Sequence, residues 1–348
     1  MTRNYKPGTR NYLCSVQKFL IIQTAFIGDV VLATSLVEKL RARIPNAHID
    51  VMVRKGNEKL LQNNPGIKEV LIWNKKEGKW KSLMEMVKQM RRNRYDMVIN
   101  LQRFFSTGLM TVLSGAKETR GYAKNPLSGG FSKKFPHIVN PGAARHETVR
   151  INDLVKDITG EEVLRPKLYP SAADENFVRP FASEPFVTIT PSSVWFTKQY
   201  PLKKWADLIE KIPSDIRVFI LGGKDNEEEA IQLTEKATRK NIEILAGKLS
   251  FLQSAALMKH AIMNYVNDSA PLHFASAVNA PVTAVFCSTI PGFGFTPLAD
   301  NSFIVETKLN LPCRPCGLHG KRACPLGHFK CAFTIETQQL LNSLHADR

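Results

Sequence analysis

Asp29 is the first residue whose place in the chain could do chemistry. It follows a short apolar run, Phe19-Leu20-Ile21-Ile22, across a turn containing Gly28, and it precedes helical spacing from Val30 to Arg43. A carboxylate there has two readings. One is a helix N-cap, favoured by the positive end of the helix dipole. The other is a catalytic carboxylate at the carboxyl end of the first strand of an open α/β sheet, where such folds hold ligands. Thr190-Pro191-Ser192-Ser193-Val194-Trp195-Phe196-Thr197-Lys198 also follows an apolar run. Its hydroxyls, amides and single Lys suit a diphosphate, or make an ordinary polar loop. The glycine spacing and Lys-Ser/Thr pair of a P-loop are absent.

Two further turns join strand to helix. Leu221-Gly222-Gly223 leads into Glu227-Glu228-Glu229. The glycines permit close backbone approach, and an acidic residue there would hold ribose hydroxyls or simply complement the helix dipole. Asn267-Asp268-Ser269-Ala270-Pro271-Leu272-His273 sets a carboxylate and a hydroxyl before helix-start amides, an arrangement that binds anions. His273 lies about one turn into that helix on an apolar face, so a packed core imidazole is the competing reading. Cys313, Cys316, Cys324 and Cys331 lie close together with His319 and His328. Such thiols suit a structural zinc more than disulfides in a cytosolic chain, though the spacing is not that of a zinc ribbon. A redox-labile pair and free thiols are the other readings. Cys14 and Cys287 stand apart.

The chain has 348 residues, enough for two domains, and a net charge of +17. Residues 1–170 carry 30 Lys and Arg against 14 Asp and Glu, whereas residues 171–348 carry 18 against 17. A one-sided basic field favours nucleic acid, acidic lipid head groups or a phosphorylated glycan; a solvated surface is the plain alternative. The motifs of nucleic-acid readers are missing. No apolar run is long enough to span a membrane, and the first seventeen residues lack the pattern of a signal peptide. A cytoplasmic protein is expected.

The elements that would position these turns alternate. Strands are predicted over 48–53, 70–73, 97–101 and 120–122, with helices over 56–62, 79–93, 106–113 and 146–159. Residues 125–136 read as a loop. The alternation restarts at Phe186 and runs strand, helix, strand to Phe286. Continuous apolar strands between helices predict α/β domains with parallel, doubly wound sheets. The expected organisation is an extension over 1–17, a domain over 18–170, a linker over 171–185 and a second domain over 186–348.

Taken together, the segments resemble glycosyltransferase family nine, the heptosyltransferases of lipopolysaccharide core synthesis in Gram-negative bacteria. The resemblance rests on Ile27-Gly28-Asp29-Val30-Val31-Leu32-Ala33-Thr34-Ser35, on Pro191-Ser192-Ser193 with Lys198-Gln199-Tyr200-Pro201, on Asn267 to His273, and on the cysteine cluster with Pro325-Leu326-Gly327-His328. The cluster looks most like the branch that adds the second heptose. The resemblance implies a GT-B fold, two Rossmann-like domains facing across a cleft, and an inverting, metal-independent transfer from ADP-heptose. It assigns Asp29 as general base. It sets Lys198, with the hydroxyls of Ser192 and Ser193 and the helix start at Ser269, on the leaving diphosphate. Thr190, Glu227, Leu249, Asp268, Ala270 and His273 would line the donor pocket. Arg120 and Lys124 would meet an anionic acceptor at the membrane surface, which implies peripheral contact with the inner membrane and no nucleic acid. Zinc at Cys313, Cys316, Cys324 and Cys331 would be structural, leaving catalysis without a cofactor.

Some positions depart from the family pattern. Ser192-Ser193 stands where many relatives have Gly-Ala, and Ser269-Ala270 where many have Thr-Gly. Lys198-Gln199-Tyr200-Pro201 replaces Lys-Arg-Trp-Pro. Another nucleotide sugar, an epimerase activity, or a nucleotide-binding protein without turnover are the competing functions.

Overall fold

The structure is a computed structural model that describes residues 17–76, 78–143 and 145–345. The extension expected over 1–17, Gln17 excepted, and Cys14 lie outside the described residues. The first half runs β1 (Lys18–Ile22), α1 (Ile27–Arg43), β2 (His48–Arg54), β3 (Glu69–Trp73), α2 (Lys79–Asn93), β4 (Met97–Asn100), α3 (Phe105–Leu113), β5 (Glu118–Tyr122) and β6 (Lys133–Phe135). Short helices α4 (Glu147–Asn152), α5 (Lys156–Thr159) and α6 (Ala172–Val178) follow. The second half runs β7 (Phe186–Thr190), α7 (Leu202–Lys211), β8 (Arg217–Ile220), α8 (Glu227–Lys236), β9 (Ile242–Ile244), α9 (Phe251–His260), β10 (Met263–Asn267), α10 (Ala270–Val278), β11 (Val282–Phe286) and β12 (Ser302–Glu306). Helices α11 (Lys330–Phe333) and α12 (Thr337–Leu344) end the described chain.

Among the described residues the strands form two six-stranded sheets, ordered β3-β2-β1-β4-β5-β6 and β12-β11-β10-β7-β8-β9. Every pairing is parallel. This is the doubly wound α/β class that the alternation predicts. β1 and β7 lie inside their sheets, covered on both faces: Phe19 to Ile22 and Phe186 to Thr190 are all buried. Each sheet reverses its winding beside its first strand, between β1 and β4 and between β7 and β10. The crevice beyond the strand ends at such a switch point is where open α/β sheets hold ligands.

Helix α1 ties the halves together. It is buried without a break from Val30 to Leu40, and it packs against α10 and α4. Val30, Leu36 and Val37 share one continuous core with Leu252, Ala256 and Phe274 of the second half. Its polar residues are paired: Glu38 accepts from the Tyr169 hydroxyl at 2.9 Å, and Thr34 Oγ1 accepts from the Lys167 amide at 2.9 Å. The returning segment 162–169 thus lies along α1. No described helix is long and apolar enough to cross a membrane.

Some elements differ from those predicted. Residues 125–136 contain the edge strand β6 in addition to a loop, and β12 is a second unexpected edge strand. The helix expected over 146–159 is two, α4 and α5, and the stretch read as a linker carries α6, which packs on α9. Residues 56–62 make only a 3-10 turn at Glu58–Leu61.

Candidate active site

The carboxyl ends of β1 and β4 bring Asp29 and Arg103 to the first switch point. Asp29 is the third residue of α1, not its N-cap; Phe26 occupies the cap with extended backbone, and its amide donates to Asp29 Oδ2 at 3.2 Å. The helix therefore starts earlier than the sequence reading has it. Asp29 is partly open to solvent, yet its carboxyl pKa is pushed up from 3.8 to about 6, first by lost hydration and then by the nearby charge of Glu147. The Phe26 amide, Arg103 and Lys198 pull the other way. A carboxyl group so tuned exchanges protons near neutral pH.

Gly28 sets how closely the halves meet. A Cβ there would lie 2.8 Å from His273 Cδ2 and 3.7 Å from Ala270 Cα. Only a residue without a side chain lets α1 begin against the start of α10. His273 is buried, and its Nδ1 has no hydrogen-bond partner among the described residues. Burial, reinforced by His146, drives its pKa down to about 3, so the imidazole is neutral at physiological pH. His146 is also depressed by burial. Its Nδ1 accepts from the Thr148 amide at 3.1 Å, capping α4, which leaves Nε2 as the donor to the Thr296 carbonyl at 3.0 Å. Arg150 Nη2 donates to the Phe293 carbonyl at 2.8 Å, and its Nε to Glu147 Oε2 at 2.6 Å. His137 and Arg150 hold the Glu147 carboxyl below its ordinary range against the opposing effect of burial, the largest influence on it. Through His146 and Arg150, α4 and its cap are joined to the loop after β11.

At the second switch point, Lys198 Nζ lies 2.7 Å from Asp268 Oδ2, which also accepts from Thr289 Oγ1 at 2.6 Å. Asn267 is fully buried, accepts from the Tyr200 amide at 2.9 Å and donates to the Pro191 carbonyl, strapping both ends of the 191–200 loop. Ser269 is the N-cap of α10, but its side chain makes no capping bond. Ala270 is the first helical residue and contacts the α1 start through Gly28. The structure thus gathers Asp29, Lys198, Asp268, Ser269, Ala270 and His273 where the two halves meet.

The remaining donor-side residues spread along the second sheet. Thr190 is buried at the end of β7. Ser192 donates to Glu229 Oε2 at 2.5 Å, and the Ser193 carbonyl accepts from Gln199 Nε2 at 2.8 Å. Exposed Glu227 reaches Gly247, whose Cβ position is 3.5 Å from Glu227 Oε1, two residues before the half-buried Leu249. Glu229 stands in the same acidic run as Glu227, and nothing in its local sequence marks it as the partner of Ser192.

Arg120 is a correction. Its side chain is 0% exposed. Nε donates to Glu118 Oε1 at 2.7 Å, Nη1 to the Leu154 carbonyl at 2.7 Å, and Nη2 to Asp157 Oδ2 at 3.0 Å. A guanidinium so enclosed holds β5 to the α4–α5 corner and cannot reach an acceptor. Lys124, just beyond β5, is exposed, as is Arg103 beyond β4.

The cysteine segment differs from its expected role. Among the described residues no group of three or more His, Cys, Asp or Glu side chains is placed to hold a metal ion, so the zinc reading finds no support. Cys313, Cys316, Cys324 and Cys331 are free thiols. Burial pushes the Cys331 thiol up to about 11 and raises that of Cys316.

The profile of glycosyltransferase family 9 (heptosyltransferase) matches residues 83–326. Lipopolysaccharide heptosyltransferase 3 of Escherichia coli is 26% identical over 285 residues, covering 76% of this chain and 82% of that one. Lipopolysaccharide heptosyltransferase 2 of E. coli K12 is 24% identical over 352 residues, covering 94% and 98%. The structure of E. coli ADP-heptose lps heptosyltransferase II superposes with a TM-score of 0.77 at 22% identity, over 95% of this chain and 98% of that one. The fold is therefore GT-B. The chain belongs to glycosyltransferase family 9, and it is a glycosyltransferase of the heptosyltransferase family that serves heptose transfer to the lipopolysaccharide core.

Proposed function

We propose that this chain moves a heptose from ADP-heptose to the inner core of lipopolysaccharide, with inversion and without a catalytic metal. The carrying observation is the meeting of a carboxyl group tuned to about pH 6 with a cation beside the free start of α10. The acceptor oxygen bonds to the anomeric carbon as the bond from that carbon to the β-phosphate oxygen breaks. The bonding pair leaves with ADP, and the acceptor proton passes to Asp29. Attack on the face opposite the departing diphosphate inverts the centre. Lys198, the Ser193 hydroxyl, and the amides at Ser269 and Ala270 meet the growing charge, a task that metal ions perform in other transferases, and the Ser192 hydroxyl joins them when its proton turns from Glu229 to the diphosphate. Asp268 and His273 would bind the sugar and phosphates; Thr190, Glu227 and Leu249 would line the nucleotide side.

In this reading residues 18–170 take the acceptor and residues 186–348 the nucleotide sugar. Lys124 and Arg103 are the acceptor-side cations. The likeness of the cysteine segment with Pro325-Leu326-Gly327-His328 to the second-heptose branch makes an acceptor that already carries one heptose part of this reading. The chain would touch the cytoplasmic face of the inner membrane from the same rim. Trp80, 58% exposed at the start of α2 with Lys79 over its ring, and Phe104 and Phe105, 61% and 49% exposed at the start of α3, are its apolar contacts in this reading.

The test offers the purified protein ADP-heptose, or UDP- and GDP-sugars, each with deacylated inner-core acceptors bearing no heptose or one, in the presence of a chelator. Mass spectrometry reads the product. A heptose adduct from the ADP donor alone, on the one-heptose acceptor, is expected. An adduct from another donor would overturn the heptose assignment, and loss of all transfer under chelation would overturn the metal-free chemistry.

A further inference from the structure

We infer that the cysteine-rich segment 313–331 is a positioning device for Lys198 and acts through Thr197. The inference rests on the reading of Lys198 as the cation that meets the departing diphosphate. Thr197 is buried and held from two sides. From the segment, the Lys321 amide donates to Thr197 Oγ1 at 2.8 Å, and the Thr197 amide donates back to the Lys321 carbonyl at 3.1 Å. From the loop after β11, Ser288 Oγ donates to Thr197 Oγ1 at 2.9 Å, and the Ser288 amide to the Thr197 carbonyl at 3.2 Å. That loop is itself tied to the segment, because the Cys316 amide donates to the Ser288 carbonyl at 2.8 Å.

The same segment reaches the partner of Lys198. Arg314 donates from Nη2 to the Thr289 carbonyl at 2.7 Å and from Nε to the Cys287 carbonyl at 2.8 Å, fixing the residue whose hydroxyl binds Asp268. Gly320 closes over the lysine. Its φ is +77°, and a Cβ on it would lie 3.0 Å from both Lys198 Cγ and Thr197 Oγ1. Lys198 therefore emerges from a clamp with Thr197 on one side and Gly320 above it. A flexible lysine loses rotamer freedom when a cation must be set at one place. The clamp meets that requirement before substrate arrives, and it gives the segment a role that needs no metal.

Thr197→Val keeps the shape and removes the hydroxyl. Displacing a group by about 1 Å at a reacting centre lowers turnover by up to about 100-fold. The expected fall in kcat is about 10- to 100-fold, with ADP affinity held within about threefold, because the lysine's charge counts most in the transition state. Thr197→Ser restores the hydroxyl and should restore kcat. On a Lys198→Met background Thr197→Val should cause no further loss, since it acts only through the lysine.

Equal losses in both backgrounds, or no loss from Thr197→Val beside a damaging Lys198→Met, would overturn the positioning role. A harmless Lys198→Met would overturn the reading of Lys198, and the inference with it. If Thr197→Val does not fold, Gly320→Ala is compared with Gly317→Ala. Gly317 has φ +75° with nothing among the described residues within 4 Å of its Cβ position, so both changes strain the backbone but only one presses on the lysine. Loss of turnover in Gly320→Ala alone supports the clamp, and matching losses in both overturn it.

Discussion

Gly28→Ala sets two effects of opposite sign against each other. Gly28 is the second residue of α1, and in a helix alanine is about 1 kcal/mol better than glycine. Propensity alone therefore predicts a more stable protein. The added methyl, however, would sit 2.8 Å from His273 Cδ2, inside the ~3.5–4.0 Å of an ordinary carbon contact. His273 is buried, so α1 and α10 must part by roughly 1 Å. Overpacking of this kind costs about 1–3 kcal/mol, which outweighs the gain or cancels it. The larger consequence is for turnover, because Asp29 is the next residue. A shift of about 1 Å between base and sugar lowers kcat up to about 100-fold. The assay pairs a thermal melt with initial rates, using Gly129→Ala as control, since nothing lies within 4 Å of that Cβ position. A raised melting temperature with full activity in Gly28→Ala would refute the argument.

Asp29→Asn should lower kcat about 100- to 10,000-fold and raise stability. The folded pKa, about 6, exceeds the unfolded 3.8, so stability is lost as pH rises through that window. Removing the charge should make the variant more stable above pH 6 by about 1–2 kcal/mol after solvent screening. Melts from pH 4 to 8 would show the gain vanishing at the acid end; a gain independent of pH would contradict the burial of Asp29. Arg120→Gln should lower stability by about 3 kcal/mol, because Glu118, Asp157 and the Leu154 carbonyl lose their shared partner. Acceptor KM should stay unchanged; a raised KM with an unaltered melt would return Arg120 to the acceptor site.

Apolar strands and the turns after them were readable because their signal is local. Phe19 to Ile22 and Phe186 to Thr190 could be little else than inner strands, and a strand followed by a polar turn locates a switch-point crevice. β6 was not readable: Lys133-Lys134-Phe135 has no apolar run, since an edge strand packs on fewer neighbours. Arg120 was hidden for another reason: the Leu154 carbonyl and Asp157 that enclose its guanidinium lie far along the chain, and its register partner Lys133 belongs to the unread β6. Contacts between distant segments were hidden for a different reason. The meeting of Gly28 with His273, of His146 with Thr296, and of Gly320 with Lys198 depends on how two sheets pack, which no local spacing encodes. The division of α4 from α5 was equally invisible, because Glu147 to Thr159 keeps helical composition throughout.

The role of Asp29 as the base is read out by the dependence of kcat/KM on pH, measured for heptose transfer from ADP-heptose. That ratio reports the free enzyme, in which the base must be ionised. With Asp29 as that base, the ratio should rise about tenfold per pH unit below a pKa near 6 and then hold a plateau through neutral pH. A profile flat down to pH 5, with transfer intact, would show that a carboxyl group with the environment of Asp29 does not take the proton.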